Sequence, residues 1–384
     1  MYRFQFHDRI SDIPARHWNR LSVGAGPFLQ HEFLMAMEES GCVSQATGWR
    51  PRHLAVYGTD TADDEMPCAV MPLYAKTNSY GEFVFDFAWA EAWHAHGLHY
   101  YPKLVTAPPF SPCMGPRLLH EASTSLPELL PSLTAAVTAE AATLGASSWH
   151  VLFPEAGLAD GLQQAGLAER QGTQFHWFNR GYESFDDFLA TFSSRKRKAV
   201  RKERQAVADE GLKFDWKSGS EISSEDLERF FAYYRNTYLE RGRDAYLNLD
   251  FFVRLCEGMP EQLRFLFVRR DGRSMAGALY LCDGQTLYGR YWGCEEQAAF
   301  LHFETCYYQG IELCIAEGLQ RFDAGAQGEH KIRRGFEPIL TRSLHWVADE
   351  RFRPAIKRFC EEEAAYVQEY MAAARAHLPY RRGD

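Results

Sequence analysis

A chain of 384 residues is longer than one hydrophobic core usually fills, so two domains are expected. With 46% hydrophobic and 24% charged residues and a net charge of −9, it reads as a globular protein for which DNA and anionic membranes are poor partners. Nine scattered cysteines without a CxxC pair fit neither a disulfide framework nor a zinc site, and no signal peptide or membrane span is visible, so a reduced, cytoplasmic, metal-free protein is expected.

In chain order, residues 2–7 alternate as a strand, Ser11 and Asp12 cap a short helix to Leu21, and 33–39 is helical up to Gly41. Residues 53–57, 67–76 and 82–86 read as strands, the last two joined by a turn at 77–81. A helix at 89–96 stops at Gly97, 103–107 is a strand, and the proline-rich APPFSPCMGPR is a loop. An Ala/Leu helix covers 127–144, followed by a strand at 149–153, a short helix at 157–164 and a strand through 174–178. The second half opens with one long helix, 184–210, then a strand at 212–216 and helices at 224–241 and 251–256. Strands at 264–269, 275–282 and 286–292 lead into a helix at 300–317, a strand at 320–324 and a final amphipathic helix at 354–377. CAVMPLYAK, EFVFDFAW and KLVTA echo AGALYLCDG, TLYGRYWG and QRFDA, so the halves read as two copies of one α/β module, 1–180 and 181–384.

The most telling stretch is FLHFETCYYQGIELCIAEGLQRFDAGAQGEHKIRRGF. Ionisable groups are costly to bury unpaired, so their crowding around an apolar helix points to a site. His302 and Glu304 are candidate general bases in its first turns, and His330 is a third on the glycine-punctuated bend. Lys331, Arg333 and Arg334 suit a phosphate or carboxylate, and Gln327 belongs to the same bend. Asp323 reads either as a turn-stabilising carboxylate or as the group that orients His330. Tyr307, Tyr308 and Tyr291 are possible donors to a leaving group, with a core role as the simpler reading. In the first module Lys76, Tyr80, Glu82, Tyr101 and Lys103 gather at a hairpin tip and a strand start, where charged groups are either functional or merely solvated. Arg197 and Arg201 share a face of a basic run, Arg195 to Arg204, suited to polyphosphate or an RNA backbone, or simply to water.

Hairpin, helix, strand is the core order of the GNAT acyltransferase fold, and two such modules with a basic helix opening the second resemble the Fem-type peptidoglycan aminoacyltransferases. SSRKRKAVRKERQAVADEGLKF and IAEGLQRFDAGAQGEHKIRRGF carry that likeness. FLQHEFLMAMEESGCVSQATGW, YAKTNSYGEFVFDFAWA, YYPKLVTAPPFSPCMGPRLL and HFETCYYQGIELCIAEGLQRFDAGAQGEHKIRRGF are similar to a bacterial FemAB-like family of predicted N-acyltransferases. The resemblance implies tandem GNAT-like modules, each a mixed sheet flanked by helices. It implies amide formation between an activated acyl or aminoacyl donor and a small, peptide or glycopeptide amine. No cofactor would be tightly bound, and the co-substrate would be acyl-coenzyme A or aminoacyl-tRNA. Glu295 and Glu296, in the turn where coenzyme A enzymes of this fold cradle pyrophosphate, are expected to repel it. The alternative is a catalytically silent peptidoglycan- or peptide-recognition module on the same fold.

Overall fold

The computed structural model describes residues 2–58, 66–326 and 328–381. The chain folds as two compact units, Met1–Gly172 with Thr341–Gln368, and Thr173–Leu340 with Glu369–Asp384. It leaves the first unit before the expected boundary at residue 180, and a later segment returns.

Strands β1 (Tyr2–His7), β2 (Trp49–Pro51), β3 (His53–Gly58), β4 (Ala69–Met71), β5 (Tyr74–Lys76), β6 (Lys103–Thr106), β7 (Leu119–His120) and β8 (Ser148–Leu152) come first. The chain crosses into the second unit along β9 (Ala168–Phe178). There it forms β10 (Lys213–Ser218), β11 (Leu263–Arg270), β12 (Arg273–Cys282), β13 (Thr286–Cys294) and β14 (Arg321–Asp323), and it returns along β15 (Glu337–Val347).

In the first unit β1, β3, β4 and β7 make a small antiparallel sheet. A second set pairs β2 with β5 and β5 with β6, both antiparallel, then β6 with β8 in parallel. Residues 343–347 of β15 lie antiparallel to β8, which is why this late segment belongs here. Parallel strands need a long crossover, and the helix Leu126–Leu144 supplies it. Its Leu129, Leu130, Leu133 and Val137 recur at helical spacing and share the core with Leu104, Trp149 and Leu158.

One expectation here needs correction. Residues 82–86 are not a strand: β5 pairs with β6 instead, and the intervening chain makes a loop and the helix Phe87–Ala95. Glu82 and Asp86 turn inward to meet Lys103, and that buried pairing outweighs the aromatic strand signal. β15, which went unread, carries Pro338 and Arg342 within its length, so its alternation is broken in the sequence.

In the second unit β10 to β13 form an antiparallel run, β13 pairs in parallel with β14, and β14 pairs antiparallel with β9. The helix 301–317 is the crossover between β13 and β14. The long helix expected at 184–210 is two, Phe185–Ala190 and Ser194–Asp209. It breaks because Phe192 bridges to Tyr380 and the Ser193 N–H donates to the Pro379 carbonyl at 2.9 Å. Close packing of helix on sheet rests on Gly310, where a Cβ would lie 2.5 Å from the Phe322 ring.

Candidate active site

β13 and β14 run together for three residue pairs, ending at Tyr288 opposite Asp323. Beyond that point β13 continues to Cys294 while β14 stops. Against β12, Leu279 faces Tyr291 and Tyr280 faces Gly289, so Arg290 is an extra residue in a bulge that bends β13. Where the strands part beneath the helix 301–317, a cavity of about 110 Å³ opens, lined by Leu279, Tyr280, Tyr291, Trp292, His302, Cys306, Tyr307 and Ala324 among others. The helix crosses it through one turn of π-helix, Glu304–Tyr308, a local irregularity common at functional sites. His302, Cys306 and Tyr307 reach the cavity, whereas Glu304 and Tyr308 face the basic helix Ser194–Asp209.

His302 is half-buried, with its ring 5.6 Å from Trp292, 5.4 Å from Tyr307 and 6.1 Å from His330. Burial, reinforced by His330, Arg334 and Lys331, lowers its pKa to about 4, so it is neutral at pH 7. The His330 Nε2 lies 2.7 Å from the Tyr307 hydroxyl. Burial and the charges of Arg334 and Lys331 lower the His330 pKa, while burial raises that of the Tyr307 phenol. Lys331 is 1% exposed, and its Nζ donates to the Gly325 carbonyl at 2.6 Å, fastening the bend. Burial lowers its pKa to about 8, with Asp323 opposing. Arg334 lies 3.5 Å over the Phe303 ring and donates to the His330 carbonyl at 2.8 Å and to Glu203 Oε2 at 2.7 Å. His302, Tyr307, His330, Lys331, Arg334 and Tyr291 are therefore brought into one region.

Other candidates lie elsewhere. Glu304 is buried and accepts from Arg204 at 2.8 Å and from Gln309 at 2.8 Å. Rather than facing the bend, it lines a separate groove of about 710 Å³ with Phe185, Arg204, Phe214 and Glu312. Its partner is 100 residues away in sequence, so local spacing gave no hint of the ion pair. Tyr308 donates to Glu203, and Arg333 is exposed. Asp323 is buried in a bidentate pair with Arg290, at 3.1 and 2.7 Å, and accepts the Gly325 N–H at 2.9 Å. Burial would raise its pKa, but Arg290 and His176 outweigh this and hold it well below the carboxylate range. It stabilises the turn, and its histidine neighbour is His176, with Nε2 3.7 Å away, not His330. Arg197 is half-buried, and Arg201 is exposed and paired with Asp186 at 2.8 Å. Arg195, Lys198 and Lys202 present charge to solvent beside them. Glu295 and Glu296 pair with Arg273 at 2.8 Å and Arg270 at 3.3 Å, which mutes the repulsion expected of them. Gln327 lies outside the described residues.

The first-unit cluster is not a solvated tip. Lys76, Glu82 and Lys103 are buried. Lys103 donates to Glu82 Oε2 at 2.7 Å, to Ser79 Oγ at 2.9 Å and to Asp86. Burial works against its charge, yet Glu82 and Asp86 more than offset this and raise its pKa. Lys76 sits 3.5 Å over the Trp49 ring and donates to the Tyr80 carbonyl at 3.0 Å; burial lowers its pKa to about 7 against the pull of Glu82. Tyr101 is half-buried with its hydroxyl 2.7 Å from Ser79 Oγ, and Tyr80 is exposed. Just past the parallel pair β6 and β8, Ala107 and Phe153 pack together in a small buried cluster, and Phe110 is buried against Trp49. Phe110 and Phe153 adopt φ of 55° and 54°, strained for bulky side chains, so each is held by its surroundings. Asp86 and Arg290 completed these networks unannounced by sequence, and Arg204, read as part of the basic face, turns instead to Glu304 and Glu312; each pairs across a long chain separation. Among the described residues no group of three or more His, Cys, Asp or Glu side chains is arranged to hold a metal, and no helix is long and apolar enough to cross a membrane.

No curated protein matches the chain. FemX superposes with a TM-score of 0.54 at 14% identity, over 93% of this chain and 100% of that one. The C-terminal DUF2156 domain of a protein assigned as lysylphosphatidylglycerol synthetase from Agrobacterium fabrum gives 0.51 at 10% identity, over 93% and 97%. L-PGS from Bacillus licheniformis gives 0.50 at 11% identity, over 86% and 95%. At such identities the likeness is one of fold, a tandem GNAT-like α/β architecture. The FemAB-like family, described as peptidoglycan biosynthesis/recognition, matches residues 9–382, and the chain belongs to it.

Proposed function

We propose that this protein transfers an acyl or aminoacyl group from an activated donor to an amine, forming an amide in the cavity where β13 and β14 part. One observation carries the reading: Tyr307 lines that cavity, and its hydroxyl lies 2.7 Å from His330 Nε2. The amine nitrogen attacks the donor carbonyl carbon, the C–N bond forms and the bond to the leaving atom breaks. The amine's proton passes to the Tyr307 oxygen as the phenol's own proton moves to His330, which needs Nε2 unprotonated at the start. The leaving group then takes the proton. A positioned base of this kind supplies roughly 10²–10⁴ in rate. Lys331 and Arg334 give the region a positive field that favours the oxyanion of the tetrahedral intermediate. His302, neutral at working pH, serves as a hydrogen-bonding wall, and Glu304 as an ion-pair anchor for the helix.

The family description supports an amine of a peptidoglycan precursor or related glycopeptide as acceptor. The exposed cations of Ser194–Asp209 suit a polyanionic donor carrier, coenzyme A or tRNA. Purified protein, offered acyl-coenzyme A and aminoacyl-tRNA donors with such amines and read by mass spectrometry, should yield an amide. His330→Ala should lower turnover at least about a hundredfold. Glycopeptide binding with no turnover from any donor would favour the recognition-module alternative.

A further inference from the structure

We propose that Glu203, on the basic helix Ser194–Asp209, is the positioning residue that sets Tyr307 against His330, because one of its carboxylate oxygens holds both segments that carry the pair. This rests on the relay reading of the same site. Glu203 Oε2 accepts from the hydroxyl of Tyr308, the residue after Tyr307, and from Arg334 at 2.7 Å. Arg334 in turn donates to the His330 carbonyl at 2.8 Å. A third element of the unit therefore ties the site helix to the bend, and Glu203 does so without lining the cavity.

The neighbouring residue completes the grip. Arg204 holds Glu304 at 2.8 Å and Glu312 at 2.7 Å, so residues 203 and 204 take the two ends of the π-helical turn Glu304–Tyr308, within which Tyr307 sits. Such turns are rare, and here both ends are fastened from outside. Burial keeps the Tyr308 phenol above its ordinary pKa, so it remains a donor to Glu203. On the bend, Lys331 closes the chain on itself at Gly325, whereas Arg334, buried over the Phe303 ring, reaches out to the basic helix. His330 is itself exposed, so its place depends on how the bend is held. Proton transfer needs heavy atoms about 2.6–3.2 Å apart, and a misplacement of about 1 Å can cost about 10²-fold in rate.

Nitrogen NMR of the full chain with isotope-labelled histidine tests this without substrate, at about pH 8, where His330 is neutral. The His330 signals are identified by their loss in His330→Ala. Tyr307→Phe should shift the Nε2 resonance of the parent protein, because it removes the hydrogen bond. After Glu203→Ala that resonance should already lie near the Tyr307→Phe position, and adding Tyr307→Phe should move it little. Melting curves check folding; should Glu203→Ala not fold, its combination with Arg334→Met, which strands no buried charge, is read in the same way. With the donor and amine that yield product in the mass-spectrometric screen, Glu203→Ala should lower kcat at least about tenfold and leave KM within about threefold. Added to Tyr307→Phe, it should cost under about threefold more. An Nε2 resonance unmoved by Glu203→Ala, a kcat within about threefold of the parent, or losses that multiply overturns the proposal. A Tyr307→Phe rate within about threefold of the parent would instead remove the relay, and the Nε2 comparison then decides the bridge by itself.

Discussion

Replacing Tyr307 by Phe removes one oxygen while keeping the ring against Phe336 and His302, whose centroids lie 5.5 Å and 5.4 Å away. The lost hydrogen bond joins two neutral groups, and a bond of that kind contributes about 0.5–1.5 kcal/mol to stability. His330 is exposed and can turn to water, so the stability loss should sit at the low end, about 1 kcal/mol or less. The loss in rate should be larger: base assistance of about 10²–10⁴ corresponds to roughly 3–5 kcal/mol at 1.36 kcal/mol per tenfold. Amide formation under saturating donor, measured beside urea denaturation, separates the two quantities. Because Tyr307 and His330 act as one relay, the double variant with His330→Ala should be little slower than either single variant. A rate loss under about threefold, or losses that simply multiply, would falsify the relay.

Lys76 gives a pH signature in stability. Its folded pKa of about 7 lies below the ordinary ~10.4, so between those values the unfolded chain binds more protons and stability rises with pH. Lys76→Met should remove this share of the slope between pH 7 and 10, to which Lys331 adds above about 8 and which the buried cysteines, their pKa values raised by burial, oppose; a slope identical to that of the parent protein in urea titrations would contradict the assignment. Asp323→Asn strands Arg290 in the interior and should cost about 3–5 kcal/mol, most of it recovered by adding Arg290→Met. A cost under about 1 kcal/mol in chemical denaturation would mean that the pair is not buried as described. At Gly293 a Cβ would fall 1.8 Å from the Tyr233 carbonyl oxygen, so Gly293→Ala should leave little folded protein by circular dichroism.

The candidate site was legible in sequence where its parts are neighbours in the chain. The helix 301–317, β14 and the 325–334 bend follow one another, so His302, Tyr307, His330 and Lys331 could be read as a group before any contact was known. What escaped depends on distant partners. Arg204 claims Glu304, and Arg290 claims Asp323 by way of a bulge that no local pattern announces. For Lys76, Glu82 and Lys103 the sequence left a functional and a solvated role equally open, and burial escaped it because their neutralisation, completed by Asp86, joins separate segments. The element order from β11 to β14 was equally legible, since those strands are joined in sequence by short turns or the site helix. The break at 191–193 was not, because it is imposed by the C-terminal residues Pro379 and Tyr380.

The position of an unreactive acyl-donor analogue in a crystal of the full chain bears most directly on catalysis in the second unit. Its carbonyl carbon should lie between the diverging ends of β13 and β14, within hydrogen-bond reach of the Tyr307 hydroxyl. Density in the groove beside Arg204 and Glu304, or in the first unit near Phe110, would contradict that assignment.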